Sequence, residues 1–498
     1  MTSMTNRRCV LHAALAGATS GLLPRASIAA TGVLHRRPAV HTTEGMTMLA
    51  IYADGVRALM DKTQFAEADP RSWIFQWYTH SVPSNTGKAA EQARVFAAGD
   101  SRRSISEAMW DTCEAHTDAS RSDFFLPWHR MYVSAFENII RSVTSKPDFS
   151  LPYWDYTDPT HRSLPAEFRL KDDPKWKTLY RPTRLGTTNN GKNIDSPSNA
   201  APLNVDALRS PTYSDSNADA GFCANLDGTL HGAVHVDVGN GLGMGSVPYA
   251  AQDPIFWLHH CNIDRMWASW NKAGGKNPDS ITFLAETFRF ANPAGAQIEF
   301  KVADFLTMPD YEYDAYVDRP PRSPSFSQGP ILAASHAVSG SSGITAGAVS
   351  LQNKVVRVRL AKPLRGSDGT PLPAAATSLD SISPEARLYL RLEGLTAHSD
   401  PGSTYDVYVT ARPREVRGRS DPAYVGSLPF FGIGHQHGRA APVPSAARLR
   451  NVSFLLNEQM QKELKESRGQ LPYVTIVRSG AGAERSVPTV GRIALTSA

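Results

Sequence analysis

Apolar residues recur at three- and four-residue spacings from about residue 40 to residue 318, and at every second position beyond residue 346. In Ser72 to His80 (SWIFQWYTH) this spacing puts Trp73, Trp77 and His80 on one face of a helix. Pro127 to Ile140 (PWHRMYVSAFENII) opens on a proline, which suits a first helical turn, and its His129, Val133 and Phe136 share a face. Polar, Gly/Pro/Asn-rich stretches separate the helices, above all Arg181 to Ala201, which predicts a long surface loop. A scaffold with this much irregular chain needs something at its centre to hold it. Residues 319–346, rich in Pro, Ser and Gly, predict a linker. Past it, Val356, Val358 and Leu360 alternate with Arg357 and Arg359, and Tyr405, Val407 and Val409 with Asp406, Tyr408 and Thr410. Tyr473 to Val477 (YVTIV) is another β-rich run. The pattern predicts a mainly α core with long loops over 40–318, followed by an all-β sandwich over 347–498.

Composition changes this picture little. The chain has 498 residues, 41% hydrophobic and 20% charged, ample for one large core or two domains. The formal charge is +5, and three of its arginines (Arg7, Arg8, Arg25) lie in an acid-free first thirty residues, whose removal leaves +2. No like-charge run marks a nucleic-acid surface. Those thirty residues predict an export signal. Arg7-Arg8 precedes an apolar stretch from Cys9 to Leu23, and Ser27-Ile28-Ala29-Ala30 offers a cleavage site. The paired arginines point to the twin-arginine route, and so to a periplasmic or secreted protein. No later stretch is apolar enough for a membrane span. Of the cysteines, Cys113, Cys223 and Cys261 remain after the signal; a Cys223–Cys261 bridge is open to the chain, a disulfide framework is not.

The histidines carry the chemistry. His231 and His235, four apart, can grip one ion from one side of a helix. A separate helix with His259 and His260 can supply a third ligand, and because neighbours stand about 100° apart only one of the two is expected to face that ion. His80, His116 and His129 form a second possible triad upstream. Imidazole suits Cu, Zn, Fe and Ni, but no H-E-x-x-H occurs and no carboxylate joins the set, so copper is favoured over a zinc hydrolase or non-haem iron site.

At these residues the sequence resembles the tyrosinase / polyphenol oxidase family. The stretch Asp253-Pro-Ile-Phe-Trp-Leu-His-His-Cys-Asn-Ile-Asp-Arg-Met-Trp267 is similar to the family's second copper motif, and Phe125-Leu-Pro-Trp-His129-Arg with Phe136-Glu137 to its first. Asp227-Gly-Thr-Leu-His231-Gly-Ala-Val-His235 resembles the plant branch. So do Tyr405-Asp-Val-Tyr-Val409, Ala423-Tyr-Val-Gly-Ser427 and His435-Gln-His437, which resemble the β-sandwich that follows the plant copper domain. The resemblance implies a helical bundle around two copper ions, with O2 as co-substrate and small phenols as partners; a copper chaperone is a further possible partner. It implies His80, His116 and His129 on the first copper and His231, His235 and His260 on the second. Phe256 would stack over the second copper and restrict substrate approach. Asp264 would orient a ligand imidazole, or else form a salt bridge to a nearby arginine. Asp227, where relatives often carry glutamate, and the spare His259 would take a phenol's proton.

Three departures from the family pattern stand out. Twelve residues separate His116 from His129, more than the family's usual spacing. Cys113 stands in a Cys-x-x-His arrangement, where relatives that link this cysteine to a ligand histidine by a thioether often have Cys-x-His. Gly232 follows His231, where efficient monophenol hydroxylases have asparagine. The implied activity is ortho-hydroxylation of monophenols and oxidation of ortho-diphenols to ortho-quinones, with a catechol oxidase of little monophenolase activity as the alternative and a haemocyanin-like O2 carrier as a further one. The β-domain would keep the enzyme latent until proteolysis, or serve as a stabilising partner.

Overall fold

The computed structural model describes residues 34–497 except 84, 115–120, 197–202, 216–220, 309, 319–331, 340–343, 346–347, 362–386, 398–402, 433–449, 468–471 and 480–485. The export segment, His116 and His435-Gln-His437 therefore lie outside the described residues.

The α core is built around two long helices. Helix α1 (Thr43–Met60) starts where Thr42 Oγ1 accepts the Gly45 N–H. Helix α2 (Trp73–His80) starts where Ser72 accepts the Phe75 N–H. The first long central helix, α3 (Phe125–Thr144), has Pro127 in its first turn, as expected, and ends at Ser145 in the left-handed conformation. A second helical stretch runs through α4 (Phe222–Leu226), one π turn over Asp227–His231, and α5 (Gly232–Val238). The other central helix is α6 (Ile255–Lys272). Helix α3 packs on both α1 and α6. It approaches α1 closely at Gly55, where an added Cβ would come within 2.6 Å of Ile140 Cδ1. Against α6 it stacks Phe136 on Trp257, ring centroids 3.6 Å apart.

A buried ionic network ties the core's edge to its centre. Strand β1 (His35–Arg37) pairs in parallel with β4 (Tyr311–Tyr313). Between them in sequence comes the hairpin β2 (Thr287–Ala291) and β3 (Gln297–Lys301). Arg37 reaches Glu137 on α3 at 3.0 Å and Asp264 on α6 at 3.1 Å, all three buried. Asp264 also takes Arg130 of α3 at 2.5 Å and the Tyr313 hydroxyl at 2.6 Å. Of the two roles open to Asp264, the structure shows the salt bridge and not the ligand imidazole: its oxygens go to Arg130 and Arg37, which neutralise a carboxylate that could not be buried alone, and to the Tyr313 hydroxyl. The Arg181–Ala201 stretch also differs from a plain surface loop, because Arg184 turns inward onto Asp253 and the carbonyls of Phe168 and Leu179. No bridge joins Cys223 and Cys261. Both are buried free thiols, donating to the carbonyls of Ser122 and Leu151 respectively at 3.3 Å.

The remaining strands form one antiparallel, hydrogen-bonded network among the described residues. One leaf runs β11 (Tyr424–Leu428), β10 (Thr404–Thr410), β13 (Tyr473–Ser479), β8 (Val355–Ala361), β5 (Leu332–Ser339). The other runs β12 (Arg450–Leu455), β9 (Leu388–Thr396), β14 (Thr489–Ser497), β7 (Ala348–Ser350), β6 (Ile344–Thr345). The leaves join where β5 pairs with β14, and they share one apolar core, which gives the expected all-β domain after the helical one. Strand β5 falls inside the stretch read as linker. The alternation along β10 is not in-and-out as expected, since every residue is buried; Asp406 is satisfied there by Arg419 and Ser427. Helix α7 (Glu458–Glu466), capped by Asn457, packs near β10. No described helix is long and apolar enough to cross a membrane.

Because the Asp264 network is closed to water, removing one member strands the others. Asp264→Asn is expected to lower unfolding free energy by about 3–5 kcal/mol, measured by denaturant titration. A loss below about 1 kcal/mol would mean that the cluster carries no such weight.

Candidate metal centre

The clamp between α3 and α6 also aligns the histidines. His129 precedes Arg130 and His260 stands one turn before Asp264, so the ion pair holds their imidazoles face to face, 4.2 Å apart and 8° from parallel. Helix α2 ends on His80. The π turn ends on His231, and α5 carries His235. Such a local widening of a helix is a recurrent feature of functional sites.

Three imidazoles are tethered from behind. Nδ1 of His231 donates to Asp227 Oδ1 at 2.9 Å, Nδ1 of His235 to the Met244 carbonyl at 2.8 Å, and Nδ1 of His129 to the Phe125 carbonyl at 2.8 Å. Those oxygens only accept, so each Nδ1 carries the proton and each Nε2 a lone pair. Nε2 of His231 and Nε2 of His235 lie 3.1 Å apart. Two lone pairs repel at that distance, and a cation beside both turns the repulsion into ligation. His260 is 1% exposed and neither ring nitrogen has a hydrogen-bond partner, nor does Nε2 of His259. Orphaned buried nitrogens of this kind cost stability unless a metal takes them, and the donor set fits copper.

One nitrogen from each of His231, His235, His259 and His260 lies within 4.8 Å of the others, and His80, Cys113 and His129 form a second such group. His259 therefore comes nearer than expected: side chains about 100° apart on a helix can still lean toward a shared centre through their own torsions. Its Nδ1 shares a 2.8 Å hydrogen bond with the Tyr156 hydroxyl, and its ring runs parallel to His231. Cys113 Sγ lies 3.6 Å from His129 Nε2, and burial, with Glu114 next, pushes its thiol pKa well up. Phe256 is fully buried between His80 and His260, centroids 4.9 and 4.2 Å away. The ring lying flat on a second-group imidazole is instead Phe431 of the β-domain, 4.0 Å from His235 and 8° from parallel.

Sequence reasoning missed Phe431, although Leu428-Pro-Phe-Phe431 is a conspicuous apolar run just before the noted His435-Gln-His437. It also missed Tyr156, and it quoted Phe125 only as part of the His129 motif; that ring lies 4.8 Å from His129 and 4.7 Å from His231. Neither Phe431 nor Tyr156 sits in a histidine motif, so only the tertiary fold brings them in.

The geometry is that of a dicopper protein of the type-3 class. A family model, the common central domain of tyrosinase, matches residues 70–207 and 164–273, and the chain is similar to curated tyrosinases and polyphenol oxidases. It is 27% identical over 396 residues to Tyrosinase HcTyr1 of Hahella sp. (strain CCB-MM4), covering 73% of this chain and 79% of that one. It is 26% identical over 385 residues to a chloroplastic polyphenol oxidase of Malus domestica, covering 71% of this chain and 64% of that one. Among solved structures, latent apple tyrosinase shares its fold at a TM-score of 0.59 and 21% identity, covering 93% of this chain and 97% of that one. The family's centre is a pair of copper ions with O2 as co-substrate, and type-3 copper oxidase is the activity class.

Burial first, then the neighbouring histidines, hold His259 and His260 well below the ordinary imidazole value of 6.5. Both therefore stay neutral in the folded chain. Unfolded, they take up protons as pH falls through 6.5, while in the folded chain they resist. The unfolded state then binds more protons, so stability is full above that pH and is lost below it. The copper-free chain is expected to be less stable at pH 5 than at pH 7.5 by denaturant midpoint, and equal midpoints would contradict it.

Proposed function

We propose that this chain oxidises small ortho-diphenols to ortho-quinones with O2, and hydroxylates monophenols more slowly. His80, His129 and His116 hold the first copper and His231, His235 and His260 the second. The observation that carries the reading is the set of Nε2 atoms turned inward by Nδ1 tethers on the outside. When bound, the copper pair supplies O2 activation and takes the two electrons of the diphenol. The protein's own part is to fix the imidazoles, exclude water and receive the phenol's proton. A phenol hydroxyl has a pKa of ~10, so a base must assist near neutral pH. Asp227 and His259 are assigned that role as the titratable groups beside His231 that the proposed copper ligands leave over. Asp227 is engaged with His231 Nδ1, and Gly232 offers no polar side chain, which favours the diphenol reaction over the monophenol one. The Arg7-Arg8 segment suits export in the folded state. A catalogue of rates on tyrosine, a simpler monophenol and the matching catechols, with metal analysis of the same sample, tests the reading. O2 binding without catechol turnover would assign the chain a carrier role instead.

His260→Ala is expected to abolish quinone formation and to halve bound copper. A fully metallated, active variant would reject that ligand.

In the whole chain Phe431 occupies the face of His235 on which a flat phenol would settle, which supports a cover role for the β-domain. Phe431→Ala, or a cut between residues 318 and 332, is expected to raise the catechol rate at least tenfold. An unchanged rate in both would leave the β-domain as a stabilising partner only.

A further inference from the structure

We propose that the cavity between the end of α1 and the start of α2 is a binding site for a small aromatic carboxylate, separate from the metal centre. It shares no lining residue with either histidine group.

The cavity has a volume of about 300 Å³, a size that holds a small organic ligand. Its walls are mostly apolar. Met60 comes from the last turn of α1, Phe65 from the chain after it, and Trp73, Ile74 and Trp77 from the first turns of α2. The indoles are fixed from behind. Trp73 leans on Phe136 and Trp257, centroids 6.2 and 6.3 Å away. Trp77 is pinned by its Nε1, which donates to the Pro248 carbonyl at 2.9 Å. A fixed wall of two indoles and a phenyl ring favours a flat aromatic partner, which gains contact beyond simple burial and brings little torsional freedom to lose.

The charge comes from Arg181, which also lines the cavity. Among the described residues it has no carboxylate partner. Its Nε donates to the Gln252 carbonyl at 3.2 Å, and its Nη1 to the carbonyls of Thr178 and Tyr180 at 2.9 and 2.7 Å. Its Nη2 meets only the Met60 sulfur, at 3.5 Å, a weak acceptor on the cavity wall. The nearby carboxylate, Asp253, is taken at both oxygens by Arg184, 2.8 and 2.6 Å away. Two guanidinium charges thus share one buried carboxylate, and burial lowers the pKa of Arg181 by more than Asp253 restores. At the mouth, Glu67 does not supply the missing charge, because Lys62 and Arg94 each hold it at 2.5 Å. One carboxylate group answers the whole deficit: a single negative charge, with an oxygen to replace the thioether on Nη2 in a charge-assisted hydrogen bond.

The test is calorimetric titration of the full-length chain with phenylacetate. A site with a Kd below about 1 mM is expected, and it is expected to persist when copper is removed. Binding that disappears with the copper would place the ligand at the metals and overturn the proposal. Phenylacetamide, of the same shape without the charge, is expected to bind about tenfold or more weakly, the worth of one hydrogen bond to a charged group. Equal binding of the two would remove Arg181 from the site. Arg181→Gln is expected to lose the preference for the anion. Because Arg181 also ties down three carbonyls, a second variant leaves it in place: Ile74→Trp fills the cavity from its partly buried rim and is expected to abolish binding. Undiminished affinity in Ile74→Trp would show that phenylacetate sits elsewhere.

Discussion

One carboxylate governs where the site can be. Asp264 binds Arg130 and Arg37 inside the protein, and through them locks α3, α6 and β1 into a single arrangement. Charges buried together are tolerable only in good geometry, which leaves little freedom to slide one helix on the other. His129 and His260 are built on the same two helices beside this clamp, so their mutual position follows from it. Tyr313 and Glu137 complete the cluster, and the carboxylate of Glu137 is held below its ordinary value because Arg37 and Arg141 outweigh its burial. A metal pair held by neutral imidazoles draws no ion pairing from its direct ligands, so its geometry depends on such a scaffold.

The second set depends on helix irregularity more than on charge. The π turn places Asp227 behind His231, and the loop after α5 brings the Met244 carbonyl behind His235. Fixing the outer nitrogen of each ring leaves the inner one as an acceptor with a set direction. Aromatic rings fill the space between the two sets, Phe125 on one side and Phe256 on the other. The surroundings are consequently dry, which keeps His259 and His260 unprotonated and strengthens any interaction made inside.

Much of this was legible in the sequence. The three- and four-residue spacings located α2 and α3, the period of two located β8, β10 and β13, and His231 and His235 announced themselves by helical spacing. What was not legible depends on contacts between distant segments. Nothing local distinguishes an aspartate that orients an imidazole from one that binds an arginine, since Asp264 meets its partners 134 and 227 residues away. The pairing of Cys223 and Cys261 could be neither drawn nor excluded from spacing, and the strand at Leu332–Ser339 was hidden by linker-like composition around it. Phe431 escaped for the same reason: its importance lies in where the β-domain rests. His231 and His235 were legible because neighbours along a helix are neighbours in space, whereas His80 and His129, on separate helices, were suggested by the family resemblance.

The three thiols of the described core are all buried and unbridged. Among the described residues no disulfide has to form for the helices or the sheet to reach their places, so the scaffold of this chain calls on no oxidant and no disulfide isomerase. Its scaffold can be completed in a reducing compartment and will keep its shape in the presence of thiol reductants. Sensitivity to such agents would then report on the metal centre and not on the architecture.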